Sequence, residues 1–268
     1  MKRKAAVAGQ FYPGRADELR RMIRTMVDPE APKAKALAVV SPHAGYVYSG
    51  PVAGAVFSSV ELPGTFVVLA PSHRPIRTLF GIMDEGEWET PLGSIGIAAG
   101  LAAAIQAGAK SIRTDAAAHA AEHALEVQLP FLQYFKKDFE IVPIAVSYLA
   151  SYDDLAELGS AMAAAIRARS EDVLIVASTD MSHYVSRDEA RRKDTLAIER
   201  ILALDPQGLF DVVTAEDITM CGFQPVTAAL VAAKALGARK AELVKYATSG
   251  DVTGDDRQVV GYAGLRVL

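Results

Sequence analysis

Short β-branched runs alternate with alanine- and leucine-rich stretches from one end of the chain to the other, and that alternation leaves few folds open to it. A strand that is apolar at successive positions must be covered on both faces, and crossover helices are what cover a parallel sheet. Ala36 to Ser41, Thr65 to Ala70, Glu140 to Ile144 and Asp172 to Ser178 have this character and are expected in the middle of the sheet. Ala241 to Thr248 and Gln258 to Val267 are the other expected strands. Helices are expected over Ala16 to Val27, Val52 to Val60, Leu101 to Ala107, Leu125 to Phe135, Asp153 to Arg169, Asp188 to Leu204 and Pro225 to Leu236. Leu79 to Met83 and Ser94 to Ala98 are expected to flank the acidic segment Asp84 to Gly93 as a hairpin. The fold class is α/β, a mostly parallel or mixed central sheet flanked by helices. No linker or fixed-period repeat divides residues 1–268, which read as a single domain.

Composition narrows the function. Lys plus Arg number 28 against 32 Asp plus Glu, and no basic tract offers the counterion-release footprint of nucleic-acid binding. Nucleic acid and anionic membranes are excluded as partners. Apolar stretches such as Phe66 to Pro71 are far shorter than the roughly 20 residues that span a bilayer. The apolar segment after basic Met1 to Lys4 is too short for a secretion signal, and the lone Cys221 forms no internal disulfide. A cytoplasmic location is expected.

In an open α/β sheet, ligands bind beyond the carboxyl ends of the strands. Three of the five histidines follow an expected strand: His43 in Pro42-His43-Ala44-Gly45-Tyr46, His73 in Pro71-Ser72-His73, and His183 in Thr179-Asp180-Met181-Ser182-His183-Tyr184. Parallel strands bring all three to one rim, which is an arrangement for holding a metal. Cys221 precedes an expected helix whose amides favour a thiolate, although a free cysteine is as often a small buried hydrophobe. His183 follows its strand by five residues, so its ring is expected to overhang the cleft, with Asp180 accepting from one ring nitrogen and the hydroxyls of Tyr46 and Tyr184 on the same rim.

His119-Ala-Ala-Glu122-His123 matches the H-x-x-E-H pattern of inverted zinc peptidases, in which two histidines on one helix bind zinc. The plainer reading is that Glu122 and His123 begin a helix whose first turn reaches the site. The acidic turn Asp251 to Asp256 lacks both calcium-loop and phosphate-loop spacing.

Taken together, Ala8-Gly9-Gln10-Phe11-Tyr12-Pro13, the three histidine motifs, Glu122-His123-Ala-Leu-Glu126-Val-Gln-Leu-Pro130, Cys221-Gly222 and Thr248-Ser249-Gly250-Asp251 resemble the MEMO family, including its members named protein B of the AmmeMemoRadiSam system. The blocks run in the family's order from about residue 5 to residue 265. The resemblance implies a fold similar to the class III extradiol dioxygenases, with His43, His73 and Cys221 as metal ligands. It implies Asp180 and His183 as catalytic residues; from their positions in the sequence, His123, Glu122, Tyr46 and Tyr184 are expected as a supporting shell. Ala70 and Gln224 depart from the family pattern without removing a ligand. A thiolate in the third place softens a site that would otherwise suit Fe(II), so Fe(II) is expected with copper or zinc as alternatives. The implied activity is a non-haem metal-dependent redox reaction on a small molecule or modified peptide, with a radical-SAM protein as system partner. The other reading is a non-catalytic metal- or peptide-binding module.

Overall fold

In the computed structural model, which describes residues 1–268, twelve strands make one sheet. They are β1 (Lys2–Arg3), β2 (Ala38–Ser41), β3 (Thr65–Pro71), β4 (Phe80–Ile82), β5 (Glu87–Thr90), β6 (Gly93–Ile97), β7 (Ile112–Thr114), β8 (Glu140–Val146), β9 (Val173–Ser178), β10 (His183–Val185), β11 (Ala241–Thr248) and β12 (Val259–Val267). The helices are α1 (Ala16–Arg24), α2 (Tyr46–Ser58), α3 (Ala99–Gly108), α4 (Leu129–Phe135), α5 (Tyr152–Arg167), α6 (Arg187–Leu202), α7 (Pro206–Ala215), α8 (Phe223–Leu236) and the short α9 (Gly250–Thr253).

The main path runs β1-β5-β6-β8-β3-β9-β2-β12-β10. β8, β3, β9 and β2 are mutually parallel and central, as their continuous apolar character requires, and β12 pairs antiparallel to β2. Successive residues of these strands feed opposite cores. Val67, Leu69, Val142 and Ile175 pack with α3, α5, α6, α7 and α8, whereas Phe66, Val68, Ile141 and Val176 pack with α1, α2 and α4. No helix is long and apolar enough to cross a membrane.

Three local expectations change. Leu79 to Met83 does not pair with Ser94 to Ala98; the hairpin is β5 with β6, inside the segment read as a turn, because fully buried Trp88 holds β5 on the sheet. β6 and β4 divide one edge of β8, taking Glu140–Ile141 and Ile144–Val146 respectively. α2 begins at Tyr46 rather than Val52, enclosing Pro51. Helix α4 starts at Leu129, so Glu122 and His123 precede it in turns rather than opening a helix. The sequence reading also missed α7, although Asp205 caps it through Gly208 N at 2.9 Å with Pro206 in its first turn.

Candidate metal centre

β3, β9 and β2 are parallel neighbours, so the loops leaving them open onto one rim. The loop after β2 carries His43 and the loop after β3 carries His73, with ring centroids 5.2 Å apart. His123 comes from the turns before α4, 4.6 Å from the His73 ring and 5.5 Å from the His43 ring. One nitrogen from each ring lies within 4.8 Å of one from each of the others. His43 is buried and His73 exposed, so the trio has a closed floor and an open side.

The hydrogen bonds behind the rings fix which nitrogens face forward. Ser178 Oγ has one proton and donates it to Ala124 O at 2.6 Å. Its contact with His43 Nδ1 at 2.9 Å therefore has the ring N–H donating, which leaves His43 Nε2 with a free lone pair. Behind His73, Nδ1 donates to Glu122 Oε1 at 2.9 Å, and the backbone N–H of His73 donates to Oε2 at 2.7 Å. His123 Nδ1 lies 3.3 Å from the same Oε1. Burial pushes the Glu122 carboxyl up, but the hydrogen bonds from His73 and the Ala124 amide outweigh it and hold its pKa at about 2. An ionised carboxylate thus orients the His73 imidazole and lies beside that of His123, the usual support for histidine ligands. Burial lowers His43 well below the ordinary imidazole value and His123 to about 4, so both are neutral near pH 7, as metal ligation requires.

Cys221 sits beside this group, its Sγ 3.2 Å from His43 Nε2 and accepting from Asp180 N at 3.3 Å. Donors held by one ion at about 2.0 Å (nitrogen) and 2.3 Å (sulfur) lie roughly 3.2–3.5 Å apart, so His43 and Cys221 fit a shared metal. The next residue must be glycine: a Cβ on Gly222 would lie 2.3 Å from Ser178 O and 2.6 Å from Thr179 Cβ. That close approach, with Gly222 N donating to Thr179 Oγ1 at 2.9 Å, presses Cys221 against the end of β9. Burial, with the nearby Asp180 carboxylate, pushes the free thiol's pKa up; a bound cation would act in the opposite direction.

The trio opens into a cleft of about 610 Å³ whose lining includes Asp180, His183, Tyr184 and also Phe11, Tyr48 and Tyr262. Asp180 does not accept from the His183 ring: its Oδ1 takes the His43 backbone N–H at 2.7 Å. His183 Nδ1 instead donates to Thr219 O at 2.8 Å, so in the neutral tautomer Nε2 carries the lone pair. A backbone carbonyl was closer than the carboxylate, something spacing along the chain could not reveal. Tyr184 is exposed at the mouth, in the left-handed region at φ 58°. Tyr46 leaves the rim altogether; it is buried, and its hydroxyl donates to Val127 O at 2.6 Å.

The peptidase pattern does not form its helix. His119 is fully buried, and its Nε2–H donates to Gly81 O at 3.0 Å, because a carbonyl only accepts. It is no part of the trio. The sequence reading put His123 behind the ligands, in the first turn of an expected helix; the adjacent acid in Glu122-His123 was the available signal.

One further set of residues was missed. Arg3 is buried with its guanidinium 4.3 Å over Trp88, and it donates to His119 O at 3.0 Å, Glu122 O at 2.7 Å and the Glu126 carboxylate. Glu126 also accepts from Ala6 N and Val7 N, at 2.8 and 3.1 Å, and from the Tyr12 hydroxyl. This latch ties the N-terminal arm to the segment bearing Glu122 and His123. It also seats Phe11 4.5 Å from the His123 ring.

Comparison with known proteins agrees with this arrangement of motifs. The model of the Memo-like protein family matches residues 3–266. A MEMO1 family protein of Methanothermobacter thermautotrophicus is 41% identical over 99% of this chain and 100% of its own length. Another, from Methanopyrus kandleri, is 42% identical over 99% of this chain and 98% of its own. A third, from Pyrobaculum aerophilum, is 41% identical over 98% of each. With the match running through every strand-end loop that builds the cleft, the chain belongs to the Memo-like family.

Proposed function

We propose that this protein binds one transition-metal ion through His43, His73, His123 and Cys221 and uses it for a redox reaction on a small molecule or modified peptide held in the cleft. The observation that carries the proposal is the convergence of three imidazoles within 4.8 Å, with the Nδ1–H of His43 and of His73 each turned to a buried acceptor. Mixed nitrogen and sulfur donors accept Fe(II), copper and zinc, and the redox reading favours Fe(II) first and copper second, since zinc cannot change its oxidation state. A bound iron or copper ion would supply the one-electron chemistry that no side chain of this set provides.

The chain's own residues do the rest. His183, fixed through Nδ1 by Thr219 O, presents a basic Nε2 to take a proton from the substrate and later return it. Burial raises the Asp180 carboxyl to about 6, which suits it to holding a proton close to neutral pH. Phe11, Tyr48 and Tyr262 narrow the cleft around the ligand. Exposed Tyr48 and Tyr184 at the mouth support the second reading, a binding module that recognises a peptide without turning it over.

Elemental analysis of reduced, anaerobically purified protein tests the site: about one ion per chain is expected, falling to near zero in His43→Ala. Equal metal content in the two would overturn it. In cobalt-loaded protein a sulfur-to-metal charge-transfer band, lost in Cys221→Ser, is the expected sign of Cys221 ligation. Oxygen uptake by the iron form that depends on His183 supports the redox reading; a loaded protein inert to oxygen supports the binding module.

A further inference from the structure

A second hollow, of about 420 Å³, shares none of its lining with the metal cleft yet adjoins it through the chain. Arg74, immediately after His73, lines it, and so does Ala121, two residues before His123. Its floor is built from Ala117, Ala118 and Ala121, whose methyl groups leave the space open. The floor itself is firm: Asp115 Oδ1 caps the turn by accepting from Ala118 N at 3.1 Å, and a Cβ on Gly81 of β4 would lie 2.9 Å from the Ala118 Cβ.

Arg74 and Arg77 stand at the mouth, both exposed, and neither has a carboxylate within ion-pair distance. Asp115 is the single acid in the lining, and one of its oxygens is committed to the turn. The hollow is therefore locally cationic on a chain whose net charge is −4. Its size falls in the range of small-molecule sites, roughly 300–1,000 Å³. Guanidinium groups recognise carboxylate and phosphate through paired N–H donors, and an alanine floor offers contact for a short apolar body.

We propose that this hollow is a binding site for a small organic anion, its carboxylate or phosphate head held by Arg74 and Arg77 and its apolar body lying on the alanine floor. The site is independent of the metal and of the reaction assigned to the cleft.

Amide NMR titration of the full-length protein with butyrate, butyl phosphate and inorganic phosphate tests it. Saturable shifts are expected at residues 74–77 and 115–121, and the head group that saturates at the lower concentration identifies the anion. An Arg74→Ala/Arg77→Ala double variant should weaken that ligand about tenfold or more, while Arg257→Ala should leave it unchanged. Both arginines are exposed, and an unchanged thermal melt of the double variant will exclude misfolding as the cause. Absence of saturable shifts with every probe, shifts confined to His43, His73 and His123, or undiminished affinity in the double variant would each overturn the proposal.

Discussion

Glu122 holds His73 at two points, taking the backbone N–H with one carboxylate oxygen at 2.7 Å and the ring Nδ1–H with the other at 2.9 Å. The ring can neither flip nor change tautomer without breaking a charge-assisted hydrogen bond to a buried carboxylate. Glu122→Gln keeps the shape but loses the charge, and metal affinity should fall about 10- to 100-fold, as it does when the partners of ligating histidines are removed. Competition against a chromophoric chelator measures this. Unchanged affinity would show that Glu122 does not support the ligands.

His119 and His123 separate the metal trio from the peptidase pattern. His123→Ala should weaken metal binding strongly, whereas His119→Ala should leave it within a few-fold of wild type and cost about 1–3 kcal/mol of stability, because it removes a buried side chain and its hydrogen bond to Gly81 O. Chelator competition and thermal melts read the two effects apart. Metal loss on substituting His119 would reverse the assignment.

The apo protein should lose stability as pH falls through 6.5 towards 4. Burial holds His43 well below the ordinary value and both His119 and His123 at about 4, so in that window the unfolded chain binds more protons than the folded one. Asp180 has the opposite sign: its carboxyl, raised to about 6, favours the folded state on acidification between 6 and 3.8. Burial also raises the Asp194 carboxyl, with the same sign as Asp180, and three histidines against two carboxyls still give a net loss, visible as a lower melting temperature at pH 5 than at pH 7.5. Equal or higher stability at pH 5 would contradict it.

Gly222→Ala should be costly in spite of its size. The added methyl would lie 2.3 Å from a backbone oxygen of β9, which cannot turn aside as a flexible side chain can. About 1–3 kcal/mol of destabilisation is expected from overpacking of this kind, together with weaker metal binding as Cys221 is displaced. Urea unfolding and metal titration of the variant check both.

Arg3→Ala leaves the Glu126 carboxylate buried among two backbone amides and a tyrosine hydroxyl without its cation. A loss of about 3–5 kcal/mol follows from breaking one side of a buried pair. Arg3→Ala should also loosen the His119–Glu126 segment, seen as faster amide exchange there. A surface-like effect below 0.5 kcal/mol would mean that the latch is not closed in solution.

The amino-acid sequence by itself determined the α/β class, the four central strands and the placing of His43, His73 and His183 on one rim. Continuous apolar runs can be satisfied only by burial on both faces, and residues that follow parallel strands share an edge whatever the loops do. Only the tertiary structure decided that His123 joins the trio, that Thr219 rather than Asp180 holds His183, that Tyr46 turns inward, and that Arg3 reaches Glu126 across 123 positions. These contacts depend on where irregular backbone comes to rest and on which acceptor is nearest in space. Periodicity carries no information about either, because turns are positioned by the packing of the elements around them rather than by a repeating pattern of their own.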